Sequence, residues 1–395
     1  MSQSGDEGTG VRIANCRKLR GLTQRGLAMK ANVAYGTLTK VESGHSMAQP
    51  AVLAAIARAL SVNVTQLTGQ PYLAELRDER LEELIEPLRI ALDSYDLGPN
   101  DDAAPRPVAE IESEVFDHCK DIRAGLLGRV ATSLPGLLEE LSAVVAAHDA
   151  DTVAWRSLAQ AYRCVYDVAS KWGYRDLAVV ALDRMGWAGG HGGDPLVEPL
   201  RRYHRSLEYL RSGQYRHAGR LLDSAVVLAE NAPPGRERSA VVGQAHLAGS
   251  INAARAGDGS QSEDHLSVAQ EVADQVGEVP RIYWLGFGPT NLAVHRVAAL
   301  IERSLYDDAI RTAAEVTIPS DWHATRAAHH FMDLGRAHAW LGQEDKSLAA
   351  LRKARGLAPQ QTRFHPTTRD TIEHLLETRR RAPESLANYA RWVGM

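Results

Sequence analysis

Tyr35, Gly36, Thr39 and Lys40 lie close together inside the stretch LTQRGLAMKANVAYGTLTKVESG, residues 22–44, and their types suit contact with a polyanion. If the stretch is helical from Tyr35 onward, Val33, Leu38 and Val41 form its buried stripe and those four residues stay outward. Such a helix fits a DNA major groove, where base edges offer hydrogen-bond partners and flanking phosphates attract cations. Outside such a motif, Lys40 would read equally well as a solvated lysine.

The residues just before them are suited to positioning that face. Thr23 can cap a preceding helix by accepting a free backbone N–H of its first turn. Leu27 and Ala28 face inward, and the small Ala28 lets two helices cross at close range. Asn32 stands where the chain must reverse and tolerates left-handed backbone. Gln24, at the N-terminus of the first helix, is the candidate for a phosphate contact, because helix N-termini carry free N–H groups and positive potential.

Arg17 to Arg20, Leu22-Thr23-Gln24, Ala28, Val33 and Glu42-Ser43-Gly44, followed by QPAVLAAIARALSVNVTQLTG, resemble the Cro/C1-type (XRE) helix-turn-helix family across residues 1–70. The resemblance implies a five-helix DNA-binding domain and an Arg17–Glu42 ion pair beneath its surface. It also implies a homodimer on an inverted-repeat operator, the two recognition helices roughly 34 Å apart. Two positions depart from the pattern. Gly26 stands where a Glu usually closes a capping box, and Ala34 where a Ser cap is usual, so both helix starts are weak. Alternatively, Gly26 and Gly36 let the backbone approach phosphates closely.

With 395 residues the chain needs more than one core, and only 4 Phe with few alternating Val, Ile and Thr runs favour an all-α fold. Cys16, Cys119 and Cys164 are far apart and read as buried thiols of a reducing cytosol. No run approaches the length of a membrane span and the start MSQSGDEGTG is polar, so a cytoplasmic protein without a membrane partner is expected. Residues 1–70 hold eight Lys or Arg against three acids, a charge of +5. The rest of the chain is acidic, which steers polyanions to the N-terminal module.

Residues 71–107 read as a helical connector, which Pro87 should kink or divide, ending in the linker GPNDDAAPRP at 98–107. From 108 to 395 five helix–breaker–helix segments recur, with breakers Gly173, Gly213, Gly257, Ser304 and Gly342. A small residue follows each breaker by five positions, namely Ala178, Ala218, Ser262, Ala309 and Ser347. Seven further on come Met185, Ala225, Ala269, Val316 and Ala354. This pattern resembles the tetratricopeptide repeat, with breakers spaced more widely than its usual 34 residues. The resemblance implies a right-handed α-solenoid whose first helices line a groove, with Arg163, Tyr203, Gln244, Arg255, Asn291, His329 and Arg336 near it.

Asn291 lies in LGFGPTN, which reads either as a ligand clamp or as a long loop capped by Thr290 and Asn291; the glycines around His191 read as a flexible connection. His323, His329 and His330 lack a completing carboxylate or Cys, so no metal or cofactor is expected, and no spacing selects a catalytic site. The combination is similar to tetratricopeptide-containing transcription regulators of the quorum-sensing type. It implies a DNA-binding regulator whose repeat domain dimerises, binds a peptide or small-molecule signal, and biases the spacing of the two DNA modules. The alternative is an interaction scaffold whose groove takes a protein partner, with DNA binding secondary.

Overall fold

The computed structural model describes residues 8–62, 64–68, 79–97, 105–148, 151–378 and 383–395. The polar lead before residue 8, Leu73 and Leu76 of the connector, and linker residues 98–104 lie outside the described residues. Among the described residues every element is a helix, apart from one 3-10 turn and an isolated bridge between Val279 and Phe287.

The N-terminal module comprises α1 (Thr9–Leu19), α2 (Gln24–Ala31), α3 (Tyr35–Glu42), α4 (Pro50–Leu60) and α5 (Val64–Thr68). Thr23 caps α2 by accepting the Gly26 N–H at 3.0 Å, and Asn32 ends it with φ of 52°. Pro50 opens α4, where its missing N–H costs nothing. Ala34 gives α3 no side-chain cap. Packing compensates for these weak starts. Ile13, Leu27, Leu38, Ile56 and Leu60 are fully buried in one core, each stabilising the module by about 1.5–3 kcal/mol. Val33 packs against that core but is only partly buried.

The connector helix α6 (Glu79–Asp93) is not divided by Pro87. Pro87 and Glu83, whose carbonyl loses its partner, are both exposed, so water takes the freed bond. Ile85, Leu88 and Leu92 share a core with α7 (Val108–Arg123) and α8 (Leu127–Ala147), so the described part of the connector packs as part of the repeat array. By length and composition α8 alone among the described helices could cross a membrane. Its Leu127, Val130, Leu134, Leu138 and Leu141 are instead buried against neighbouring helices.

Five hairpins follow: α9 (Thr152–Trp172) with α10 (Arg175–Gly192), α11 (Val197–Arg211) with α12 (Tyr215–Glu230), and α13 (Arg236–Ala256) with α14 (Gly259–Val276). Then come α15 (Pro289–Glu302) with α16 (Tyr306–Glu315), and α17 (Ala324–Trp340) with α18 (Glu344–Leu357). All five breakers adopt left-handed backbone, φ from 63° at Ser304 to 88° at Gly257. All five small residues that follow them are fully buried, where a larger side chain would wedge the hairpin open. The second set holds four times out of five. Helix α16 ends at Glu315, so Val316 becomes its C-cap and stays partly exposed. Likewise the glycines around His191 are no flexible loop; α10 runs through them, and His191 stacks on Trp155 at 4.2 Å. Helices α19 (Pro359–Phe364), α20 (Pro366–Glu377) and α21 (Glu384–Trp392) close the array, burying Ile372, Leu375, Leu386 and Tyr389.

Candidate DNA-reading face and the cavity behind it

Tyr35, Gly36 and Lys40 are exposed on α3 and Thr39 is half-buried, its hydroxyl donating to the Tyr35 carbonyl at 3.0 Å. Nothing lies within 4 Å of the point where a Cβ on Gly36 would sit. The Arg25 guanidinium sits 5.4 Å from the Tyr35 ring centre, adding a cation beside the same face.

Beneath it, Arg17 Nε and Nη2 donate to the two Glu42 carboxylate oxygens at 2.7 and 2.9 Å, while Nη1 donates to the Leu22 carbonyl at 2.9 Å. The hydrogen bond to Glu42 pushes the Arg17 guanidinium above its ordinary pKa. Gln24 turns toward this pair: its Nε2 donates to Glu42 at 2.9 Å. The structure therefore gives the Gln24 amide a role in bracing α1, α2 and α3.

The opposite side of the module is docked on the repeat array. Arg58 Nη1 donates to the Gly213 carbonyl at 3.0 Å, the Tyr215 hydroxyl to the Pro50 carbonyl at 3.3 Å, and the Thr9 hydroxyl to Asp370 at 3.3 Å. Gly213 is required here twice over: its φ is 70°, and an added Cβ would lie 2.3 Å from that of Ala54 on α4.

Asp370, Glu373 and Glu377 lie at successive turns of α20, beside the N-terminus of α1 and the α3–α4 turn. Burial, and then the charge of Glu373, push Asp370 up to about 7. An acid raised in the folded state contributes stability at low pH and loses it as pH rises through the raised value. Stability should therefore fall between about pH 4 and pH 7. Asp370→Asn keeps an acceptor for Thr9 and should raise the melting temperature at pH 8 while flattening that slope. A wild-type slope in Asp370→Asn would assign the pH dependence to other groups.

Between module and array lies a cavity of about 530 Å³. Its walls come from the first helix of each hairpin, α9, α11, α13, α15 and α17, and from α4 and the α3–α4 turn. Of the expected groove residues, Arg163, Tyr203, Arg255, Asn291, His329 and Arg336 line it; Gln244 does not. Gln244 stands behind the wall, donating to the Tyr203 hydroxyl and accepting from Asn291 Nδ2, both at 3.0 Å. It sets the orientation of the other two. Asn291 is fully buried, and Gly288 rather than Thr290 precedes α15 at its N-cap, so LGFGPTN is an ordered turn. Arg255 and Arg336 both donate to Glu302 Oε1, at 2.9 and 2.8 Å. Burial opposes ionisation of Glu302, but the two guanidiniums hold it down at about 2. Asp333, 3.6 Å from Arg336, is pushed up to about 6 by burial.

Arg123, Lys171, His204, Glu302 and Arg326 also line the cavity and were not legible as groove residues from the repeat pattern. The spacing of Arg163, Asp167 and Lys171, four apart on α9, was the available signal: it puts them on one face. Arg123 and Arg326 reach the site from α7 and α17, a juxtaposition that only the tertiary fold supplies.

The helix-turn-helix family model matches residues 13–67. No curated protein matches the chain. Among solved structures, PlcR of Bacillus thuringiensis in complex with the peptide PapR7 and DNA is 14% identical. It covers 69% of this chain and 96% of its own, with a TM-score of 0.27. YrrB, a TPR protein with an unusual peptide-binding site, is 15% identical over 55% of this chain and 92% of its own, with a TM-score of 0.26. Residues 13–67 are thus a helix-turn-helix domain, joined to an all-helical hairpin array that closes a cavity against its back.

Proposed function

We propose that the chain is a sequence-specific DNA-binding transcriptional regulator of the cytoplasm. It acts as a homodimer on an inverted-repeat operator, and its cavity receives a peptide or small-molecule signal. The observation that carries this reading is the opposition of two faces: α3 presents Tyr35, Gly36 and Lys40 to solvent, while α4 and the α3–α4 turn wall the cavity. An occupant of the cavity touches the back of the module that reads DNA. If it prefers one seating of the module over another, it shifts the spacing of the two modules in a dimer; equal affinity for both shifts nothing. The walls mix apolar with polar side chains in a volume typical of small-ligand sites.

The test is binding of the full chain to duplexes from its own promoter across a salt series. Affinity should fall steeply with salt and protect a symmetric footprint. Lys40→Ala should weaken binding to all sequences and reduce the salt slope by about 1, whereas Tyr35→Ala should cost about 1–3 kcal/mol and relax the sequence preference. A double variant that binds and discriminates as wild type would remove α3 as the reading helix. Sequence-blind, weak binding by wild type would favour the scaffold.

A further inference from the structure

One end of the cavity concentrates guanidiniums in excess of the carboxylate set among them, counted over the described residues. Arg123, Arg163 and Arg326 all line it, and Asp167 is the carboxylate set among them. Arg123 Nη2 lies 3.2 Å and Arg163 Nη2 3.5 Å from the same oxygen, Asp167 Oδ2. Glu208, on α11, is engaged by Arg211 and lies 3.8 Å from Arg175. Three guanidiniums thus face one carboxylate at a site where Arg163 is 1% exposed.

Beyond Asp167, the partners of Arg163 and Arg326 are neutral, and donors are left over. Arg163 Nη1 donates to the Tyr283 carbonyl at 2.5 Å and Arg326 Nη1 to Asn291 Oδ1 at 3.3 Å. The buried Nε–H groups of Arg123, Arg163 and Arg326 donate to nothing. A buried charged donor left without a partner is costly, about 1–3 kcal/mol or more. Burial pushes Lys171 down to about 8, against the pull of Asp167, and burial and then the charges of Arg123, Arg326 and Arg163 push His323 down to about 3. Tyr203, Leu207, Trp284, Leu285 and Val294 complete the wall with apolar surface.

We propose that this end of the cavity seats the carboxylate or phosphate of a small ligand on Arg123, Arg163 and Arg326, with the ligand's apolar body on the adjoining wall. The proposal rests on the cavity being the signal site and adds the ligand's chemical class. An anion there takes up the idle Nε–H donors and balances the excess cations in a desolvated pocket, where charge-assisted bonds are strongest.

The probes are hexanoate, inorganic phosphate and the neutral isostere hexanamide, titrated into the full chain at constant ionic strength. Binding is read by calorimetry and melting temperature. Hexanoate, phosphate or both should bind and raise the melting temperature, while hexanamide does not. The responding anion tells carboxylate from phosphate. Arg326→Gln should weaken the anion by about tenfold to a hundredfold, the loss of one charge-assisted contact. Asp167→Asn removes the internal carboxylate, and its melting temperature should rise more steeply with the anion than that of wild type. Hexanamide binding as well as hexanoate, Arg326→Gln binding the anion as wild type, or neither anion binding would each overturn the proposal. DNA affinity measured in the same samples separates the two readings. An anion that binds without changing DNA affinity leaves the site and removes the signal role; hexanamide changing DNA affinity keeps the signal role and removes the anion.

Discussion

Arg17→Ala is expected to abolish DNA binding by unfolding the helix-turn-helix module, although Arg17 touches no part of the reading face. The side chains of Arg17 and Glu42 are 11% and 4% exposed, and their two hydrogen bonds join α1 to the end of α3. Removing the arginine strands the Glu42 carboxylate with the neutral Gln24 amide as its remaining side-chain donor. Breaking a buried pair in this way costs about 3–5 kcal/mol, a large part of what a single small domain possesses. The weak starts of α2 and α3 leave little reserve. Hydrogen exchange across residues 13–67 of the full chain should accelerate, with a separate low-temperature transition appearing ahead of the array's. Arg17→Lys should recover part of the loss, since an ammonium cannot form the paired bonds of a guanidinium. An Arg17→Ala protein that keeps its exchange protection while losing affinity would make Arg17 a DNA contact and not a brace.

How far the fold was legible depended on where its determinants lie along the chain. Thr23, Asn32 and the stripe of Leu27, Leu38 and Val41 act within a few residues of one another, and local rules place them correctly. The five breakers and their small partners act within single hairpins, and they too were readable. Val316 was not, because the length of α16 is set by how its end packs, not by the preceding breaker. Pro87 does not divide its helix, because it and Glu83, whose carbonyl it frees, stand on the exposed side, which its own position in the sequence does not reveal. The cavity's charge balance was the least legible part. Arg123, Arg163 and Arg326 are spread over 203 positions, and Glu302 lies 47 residues from Arg255 and 34 from Arg336.

That separation gives Glu302 the second large expected effect. Its carboxylate is 4% exposed and bridges α13, α15 and α17, accepting from Arg255 and Arg336 through one oxygen. Glu302→Ala leaves two poorly exposed guanidiniums facing each other, with Asp333 at 3.6 Å the remaining nearby acid. A loss of about 3–5 kcal/mol is expected, read as a lower urea midpoint for the array at pH 7. Glu302→Gln preserves size and an acceptor oxygen but not the charge, so its loss at pH 7 measures the electrostatic part alone. The sign with pH is fixed. The carboxylate is held at about 2 against an ordinary 4.5, so its contribution is present above the ordinary value and disappears as pH falls toward 2. The gap between wild type and Glu302→Gln should therefore be full at pH 7 and close on acidification. Asp333 is raised to about 6 chiefly by burial and in part by Glu302 itself, so it does not cancel from that difference, and the comparison is made in an Asp333→Asn background. Equal urea midpoints at pH 7 would mean that packing, not the shared carboxylate, holds these three hairpins together.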